Sequence, residues 1–136
     1  MSNIKLPAKM KNLKRLIQFV SGFAMAEGFS EKRIREIELA TEEALVNIFK
    51  HAYPAEMTGE VELRCRMDEA SGLIIEILDT GKPFDIQSVS EPDLSAKISD
   101  REIGGLGVYF IRKMADEFHY RRDGEHNILT LIVHKI

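Results

Sequence analysis

Leu39-Ala40-Thr41-Glu42-Glu43-Ala44-Leu45-Val46-Asn47-Ile48 is the stretch from which the rest of the chain is read. Apolar positions recur through it and its flanks at helical spacing, with Ile34, Ile37, Thr41, Ala44, Leu45, Ile48 and Ala52 on one stripe. That is the pattern of an amphipathic helix seated on a core. Ser30 is placed to cap its start and Pro54 to stop it. Glu43 and Asn47 are one turn apart, so at roughly 100° per residue their side chains point within about 40° of each other. The pattern sets them on the face opposite the stripe. A carboxylate can act as general base toward a hydroxyl, and an amide oxygen is a hard ligand suited to magnesium. By themselves, the two residues are also what a solvated helix face carries.

Working back toward the N-terminus, Leu13, Leu16, Ile17, Val20, Phe23 and Ala24 predict a first helix over about residues 8–27, closed by Gly28 in a left-handed conformation. Working forward, the period changes. Val61, Leu63, Cys65 and Met67 alternate with Glu62, Arg64 and Arg66, giving a strand with one wet side. After turn signals in residues 68–72 comes Leu73-Ile74-Ile75-Glu76-Ile77-Leu78, an apolar run that suits a central strand, with Asp79 at its end. Residues 82–103 are polar and irregular and read as a long loop of the functional kind. Beyond Gly104, Gly105 and Gly107, the residues Val108, Ile111, Met114 and Ala115 return to helical spacing. Residues 118–121 and 128–133 then read as two strands joined through Asp123-Gly124.

At 136 residues, 44% hydrophobic and 30% charged, with formal net charge −3, the chain has the composition of one ordinary soluble domain. The charge does not point to nucleic acid. Cys65 is the sole cysteine, which excludes an intrachain disulfide and a four-thiolate metal site and fits a reducing cytoplasm. Its alternation with Val61 and Leu63 reads as a packed core thiol. Neither a secretion signal nor a membrane span is predicted. Lys11, Lys14, Arg15, Arg121 and Arg122 read as ordinary surface charge, and His51 as a capping or packing residue at a helix end.

Two further motifs can carry chemistry. In Asp79-Thr80-Gly81, a carboxylate at a strand end can accept from an exocyclic amine such as that of adenine, while a glycine lets backbone approach a ring closely. The same tripeptide also makes an ordinary Asp-x-Gly turn. Gly104-Gly105-Leu106-Gly107-Val108 opens a helix, where bare backbone N–H groups and the helix N-terminus favour phosphate. It is not a Walker loop, since no Gly-Lys-Ser/Thr follows, and it does not follow a strand as a Rossmann glycine fingerprint does.

In this order the three motifs resemble the N, G1 and G2 boxes of the Bergerat-fold, or histidine-kinase-like, ATPases. Leu39–Ile48 with His51-Ala52-Tyr53-Pro54, then Ile77–Phe84 and Gly104–Val108, resemble most closely the anti-sigma factors with serine-kinase activity. The resemblance implies an α+β two-layer sandwich, with three main helices on one face of a mixed, mostly antiparallel sheet whose other face is polar. It implies a cytoplasmic serine/threonine protein kinase using ATP and Mg2+, which phosphorylates a STAS-domain anti-anti-sigma protein and in another state sequesters a sigma factor. It further implies a homodimer formed through the first helix and its neighbouring strand. By resemblance Glu43 would orient or deprotonate the attacking hydroxyl and Asn47 would coordinate magnesium. Asp79 would select adenine, Gly81 would shape the base pocket, and Gly104, Gly105 and Gly107 would border the phosphates. Thr130 would support Asp79 through a hydrogen bond or water. Residues 82–103 would form an ATP lid from which Arg101 reaches the γ-phosphate. The alternative is a non-catalytic nucleotide-binding regulator acting by sequestration alone. A histidine-kinase module, which needs a dimerisation helix bearing a phosphoacceptor, and a gyrase-like ATPase, which needs a transducer domain, are less favoured.

Overall fold

The two helical stripes fold as α1 (Leu13–Ala26) and α2 (Glu31–His51) in a computed structural model that describes residues 2–53, 59–83, 111 and 113–135. A 3-10 turn, Met10–Asn12, precedes α1, and Gly28 closes it at φ 86°. There the Phe29 amide donates to the Ala24 carbonyl and the Gly28 amide to the Met25 carbonyl, both at 3.1 Å. This paired closure satisfies carbonyls that the last helical turn would leave bare. Phe29 then enters the core. α2 begins at Ser30, whose hydroxyl accepts from the Arg33 amide at 3.2 Å. Losing such a cap typically costs about 1 kcal/mol.

Five strands make one sheet: β1 (Ser2–Pro7), β2 (Glu60–Met67), β3 (Gly72–Asp79), β4 (Glu117–Asp123) and β5 (His126–His134). Their order is β1-β2-β3-β5-β4, and every neighbouring pair is antiparallel. The expected mixed sheet is corrected on this point: no parallel pairing occurs among the described strands. The β4–β5 hairpin lays β5 against β3, which keeps the sheet antiparallel through to its edge. Gly124 occupies the first central position of the two-residue hairpin turn with φ 60°, a conformation that glycine adopts without strain. β1 was not foreseen. It is a six-residue edge strand in which Ile4 and Leu6 pair with Leu63 and Val61. Of the third expected helix, residues 111, 113 and 114 are helical, and the remainder lies outside the described residues.

The pleat decides what is buried. Val61, Leu63 and Cys65, Leu73, Ile75 and Ile77, and Leu129, Leu131 and Val133 share the face covered by the helices, where they meet Leu16, Val20, Ile37, Ala44 and Leu45. Each such side chain contributes about 1.5–3 kcal/mol relative to exposure. Burial pushes the Cys65 thiol up to about 12, in keeping with a core thiol. The opposite face is less polar than expected. Ile74, Leu78 and Ile128 point to it and are nevertheless buried, amid Glu62, Arg64 and Glu76. No described helix is long and apolar enough to cross a membrane.

Candidate active site

The C-terminal end of α2 and the C-terminal end of β3 meet the start of β5. Their register places Asp79 directly opposite Asn127. Between them opens a cleft walled by Ile48 and Ala52 of the α2 side and by Leu129 of β5, with Asn47, His51, Asp79, Lys82, Tyr120 and Asn127 as polar lining. A mostly apolar slot with a few converging polar groups suits a flat, partly polar ligand.

Asp79 is tied down on one oxygen. Its Oδ1 accepts from the Gly81 amide at 2.8 Å and from Asn127 Nδ2 at 2.8 Å. No described residue donates to Oδ2. The Asp-x-Gly turn and the ligand-reading carboxylate are therefore not alternatives, because one oxygen makes the turn and the other is left for a donor in the cleft. Burial raises the Asp79 pKa; the hydrogen bonds from Asn127 and Gly81 and the charges of Arg122 and His126 oppose it.

Gly81 holds the joint between helix and strand. A Cβ there would stand 2.1 Å from the Ala52 carbonyl oxygen, so no other residue fits without parting the two backbones. The Lys82 amide donates to that same carbonyl at 2.8 Å. Beside it, the Thr80 amide donates to the Tyr53 hydroxyl at 2.9 Å, and that hydroxyl donates to the Glu60 carbonyl at 2.7 Å. Gly81 does not itself line the cleft, and what its lack of a side chain permits is the close packing of the loop against the end of α2.

Asn47 is 4% exposed, which corrects its expected place on a solvated face. Asn47 lies only about 60° around the helix from Ala44, one residue of the core stripe. Two buried side-chain atoms among the described residues have no hydrogen-bond partner, Thr41 Oγ1 and Asn47 Nδ2. Thr41 is enclosed in the core, whereas Asn47 lines the cleft. A buried donor without a partner costs about 1–3 kcal/mol, and at the wall of a cleft a ligand can remove that cost. Glu43, one turn earlier, is half-buried and does not line the cleft. Burial and then the neighbouring Glu42 raise its pKa, against the charge of Lys50. A raised carboxylate is better matched to taking a proton near neutral pH.

Thr130 is corrected. It pairs with Glu76 and projects to the face of the sheet away from Asp79, since residues an odd number apart on a strand face opposite sides. The contact assigned to it is made by Asn127. Arg122 is corrected too: its Nη1 donates to the Gly81 carbonyl at 2.7 Å and to Asn127 Oδ1 at 3.0 Å. Asn127 and Tyr120 were missed altogether, because only the strand register brings them to Asp79. Arg101, Gly104, Gly105 and Gly107 lie outside the described residues.

The residues therefore fit an adenine nucleotide with its metal: a free carboxylate oxygen for an exocyclic amine, apolar walls for a ring, and a buried amide that supplies a hard oxygen and a free donor. Residues 6–133 match the histidine kinase-like ATPase domain. The chain belongs to that family. Among its relatives, serine-protein kinase RsbW of Bacillus licheniformis is 33% identical, the match covering 88% of this chain and 77% of the relative. Serine-protein kinase RsbW of Listeria monocytogenes is 28% identical, over 97% and 87%. A crystal structure of the RsbU and RsbW domains of a Mycobacterium tuberculosis protein superposes with a TM-score of 0.66 at 12% identity, over 98% of this chain and 32% of that one. The histidine kinase domain of a blue-light activated kinase from Erythrobacter litoralis gives 0.54 at 16%, over 89% and 60%. The chain thus spans a third to three-fifths of those two solved chains, which bear on the fold alone.

Proposed function

We propose that this member of the histidine kinase-like ATPase family is an anti-sigma serine/threonine kinase. It binds ATP with Mg2+ in the cleft and transfers the γ-phosphate to a serine of a STAS-domain anti-anti-sigma protein, and in its other state it sequesters a sigma factor. The observation that carries the reading is the convergence in one cleft of Asp79 Oδ2 and the buried, unpartnered Asn47 amide, in a chain whose relatives are serine-protein kinases.

Asp79 accepts the exocyclic amine of the base, and Gly81 holds the loop against α2 so that the carboxylate stays at the cleft mouth. The Asn47 oxygen is the ligand for magnesium, which when bound neutralises charge on the phosphates. Glu43 takes the proton of the attacking serine hydroxyl as the new P–O bond forms and ADP departs. Arg101 and Gly104, Gly105 and Gly107 complete the phosphate side of the site in this reading. Assembly as a homodimer through α1 and β1 belongs to it as well; Met10, in the turn before α1, and Met25, in its last turn, are exposed, and light scattering tests it.

The test couples two measurements. ATP with magnesium should raise the thermal midpoint where GTP does not, since a ligand at a hundred times its Kd stabilises by about 2.7 kcal/mol. Labelled phosphate should pass to the partner with wild type and not with Asn47→Ala. Absence of a shift at millimolar ATP removes the nucleotide site. Binding without transfer leaves a nucleotide-dependent sequestering protein instead of a kinase.

A further inference from the structure

We infer that Arg122, seconded by Tyr120, is a positioning residue for adenine recognition, acting by holding the side-chain amide of Asn127, from its oxygen side, against Asp79. The inference rests on reading the cleft as an adenine-nucleotide site and goes beyond it, since neither residue belongs to the motifs from which that reading began.

Asn127 is buried, and all its polar contacts are protein groups. Its Oδ1 accepts from the Tyr120 hydroxyl at 2.6 Å and from Arg122 Nη1 at 3.0 Å. Its Nδ2 faces Asp79 Oδ1 at 2.8 Å, the Lys82 carbonyl at 3.0 Å and the Gly81 carbonyl at 3.2 Å. Turning the amide over would set its nitrogen against Arg122 and its oxygen against three acceptors. The Tyr120 hydroxyl can reverse its role and accept. A guanidinium cannot, because it carries five donors and no acceptor. The Gly81 and Lys82 carbonyls cannot donate either, so the flipped amide is barred from both sides, by Arg122 at Oδ1 and by the facing acceptors at Nδ2.

The orientation matters because Asp79 depends on it. With Nδ2 toward Asp79, the Oδ1 of the carboxylate is held by two donors, and Oδ2 stays in the cleft as an acceptor for an amine. With the amide reversed, oxygen would face oxygen and the carboxylate would turn from that position. Arg122 also spans the loop and the hairpin, bonding the Gly81 carbonyl at 2.7 Å and, through Nε, the Gly124 carbonyl at 3.0 Å. It thus fixes the two sides of the base-reading corner against each other.

The test is calorimetric titration with ADP and with inosine diphosphate, which carries an oxygen acceptor where adenine carries the amine. Wild type should prefer ADP. In Arg122→Ala, ADP affinity should fall about ten-fold, the scale of one lost charged hydrogen bond, while inosine diphosphate affinity changes little, so that the preference narrows. Arg122→Lys should restore part of it, and Tyr120→Phe should narrow it by a few-fold. A merely structural role would lower both affinities together and keep their ratio. An unchanged ratio in Arg122→Ala overturns the inference; if that variant does not fold, an unchanged ratio in Tyr120→Phe does so. Wild type binding neither nucleotide would instead remove the site reading on which it stands.

Discussion

At the N-terminal end of α2, Arg33 distributes its guanidinium over three acceptors: the His134 carbonyl at 2.9 Å, Glu36 at 3.1 Å and Asp116 at 2.7 Å. Asp116 in turn accepts from the His134 amide at 2.7 Å. At the other end, the Asp79–Asn127–Arg122 cluster is just as densely bonded, yet it stops short of completion, with Asp79 Oδ2 and Asn47 Nδ2 still to be matched. The first cluster fastens α2 to the sheet, and the second fastens the loop after β3 to β4 and β5, through the same kinds of group. The difference teaches which one is built for the fold and which for a visitor. Polar groups that satisfy one another rigidify a structure, whereas a buried donor left open is a standing cost that a ligand can relieve.

The largest effect that would sharpen this contrast is on chemistry. Glu43→Gln should slow phosphate transfer by about 10²–10⁴-fold with little change in thermal midpoint, and an undiminished rate would strip Glu43 of its role as base. Next comes the saturated end. Arg33→Ala should cost about 2–3 kcal/mol in urea denaturation, the range for hydrogen bonds to charged groups, and leave the Kd for ADP unaltered. A loss of ADP affinity there would break the contrast, since the two ends would then be coupled. The smallest effect belongs to Asp79→Asn. This variant keeps an acceptor for Gly81 and Asn127 and should lose nucleotide-induced stabilisation while its own midpoint is unchanged or higher at neutral pH. The sign follows from the raised pKa. The folded state holds the Asp79 proton more tightly than the unfolded chain, so wild type loses stability as pH rises through the folded value, and the Asn variant does not. Midpoints measured between pH 4 and 8 should separate on that side. A midpoint for Asp79→Asn well below wild type at pH 7 would make the carboxylate a structural group.

Much of the fold was legible because local rules and tertiary demands agree. Gly28, Ser30 and Gly124 sit where a helix end, a helix start and a hairpin turn need them, and the period change between α2 and β2 marks the passage from helix to sheet. β1 escaped because a six-residue edge strand ending in Pro7 offers too few alternations to stand out. In the candidate site, the motifs pointed to Asp79 and Asn47, which line the cleft, and to Gly81 beside it, but not to their surroundings. Thr130 was preferred to Asn127 because a strand read alone does not reveal its partner. One pairing, Asp79 with Asn127, decides which of the two can reach the carboxylate. Arg122 looked like surface charge for a related reason: it lies on an exposed hairpin, and its shortest hydrogen bond goes to a loop carbonyl 41 residues away in sequence. The signal that would have found both is strand register, a long-range quantity.

Gly81, pressed against the backbone of Ala52, has one more consequence. In the proposed reading the carboxylate would read the base from β3 and the amide would meet the phosphates from α2, and the missing side chain lets those two mounts abut without a spacer. They behave as the jaws of a fixed caliper. A ligand is thereby gauged for length as well as for chemistry: only a molecule whose amine and whose charged end are separated by the set span can close on both jaws at once.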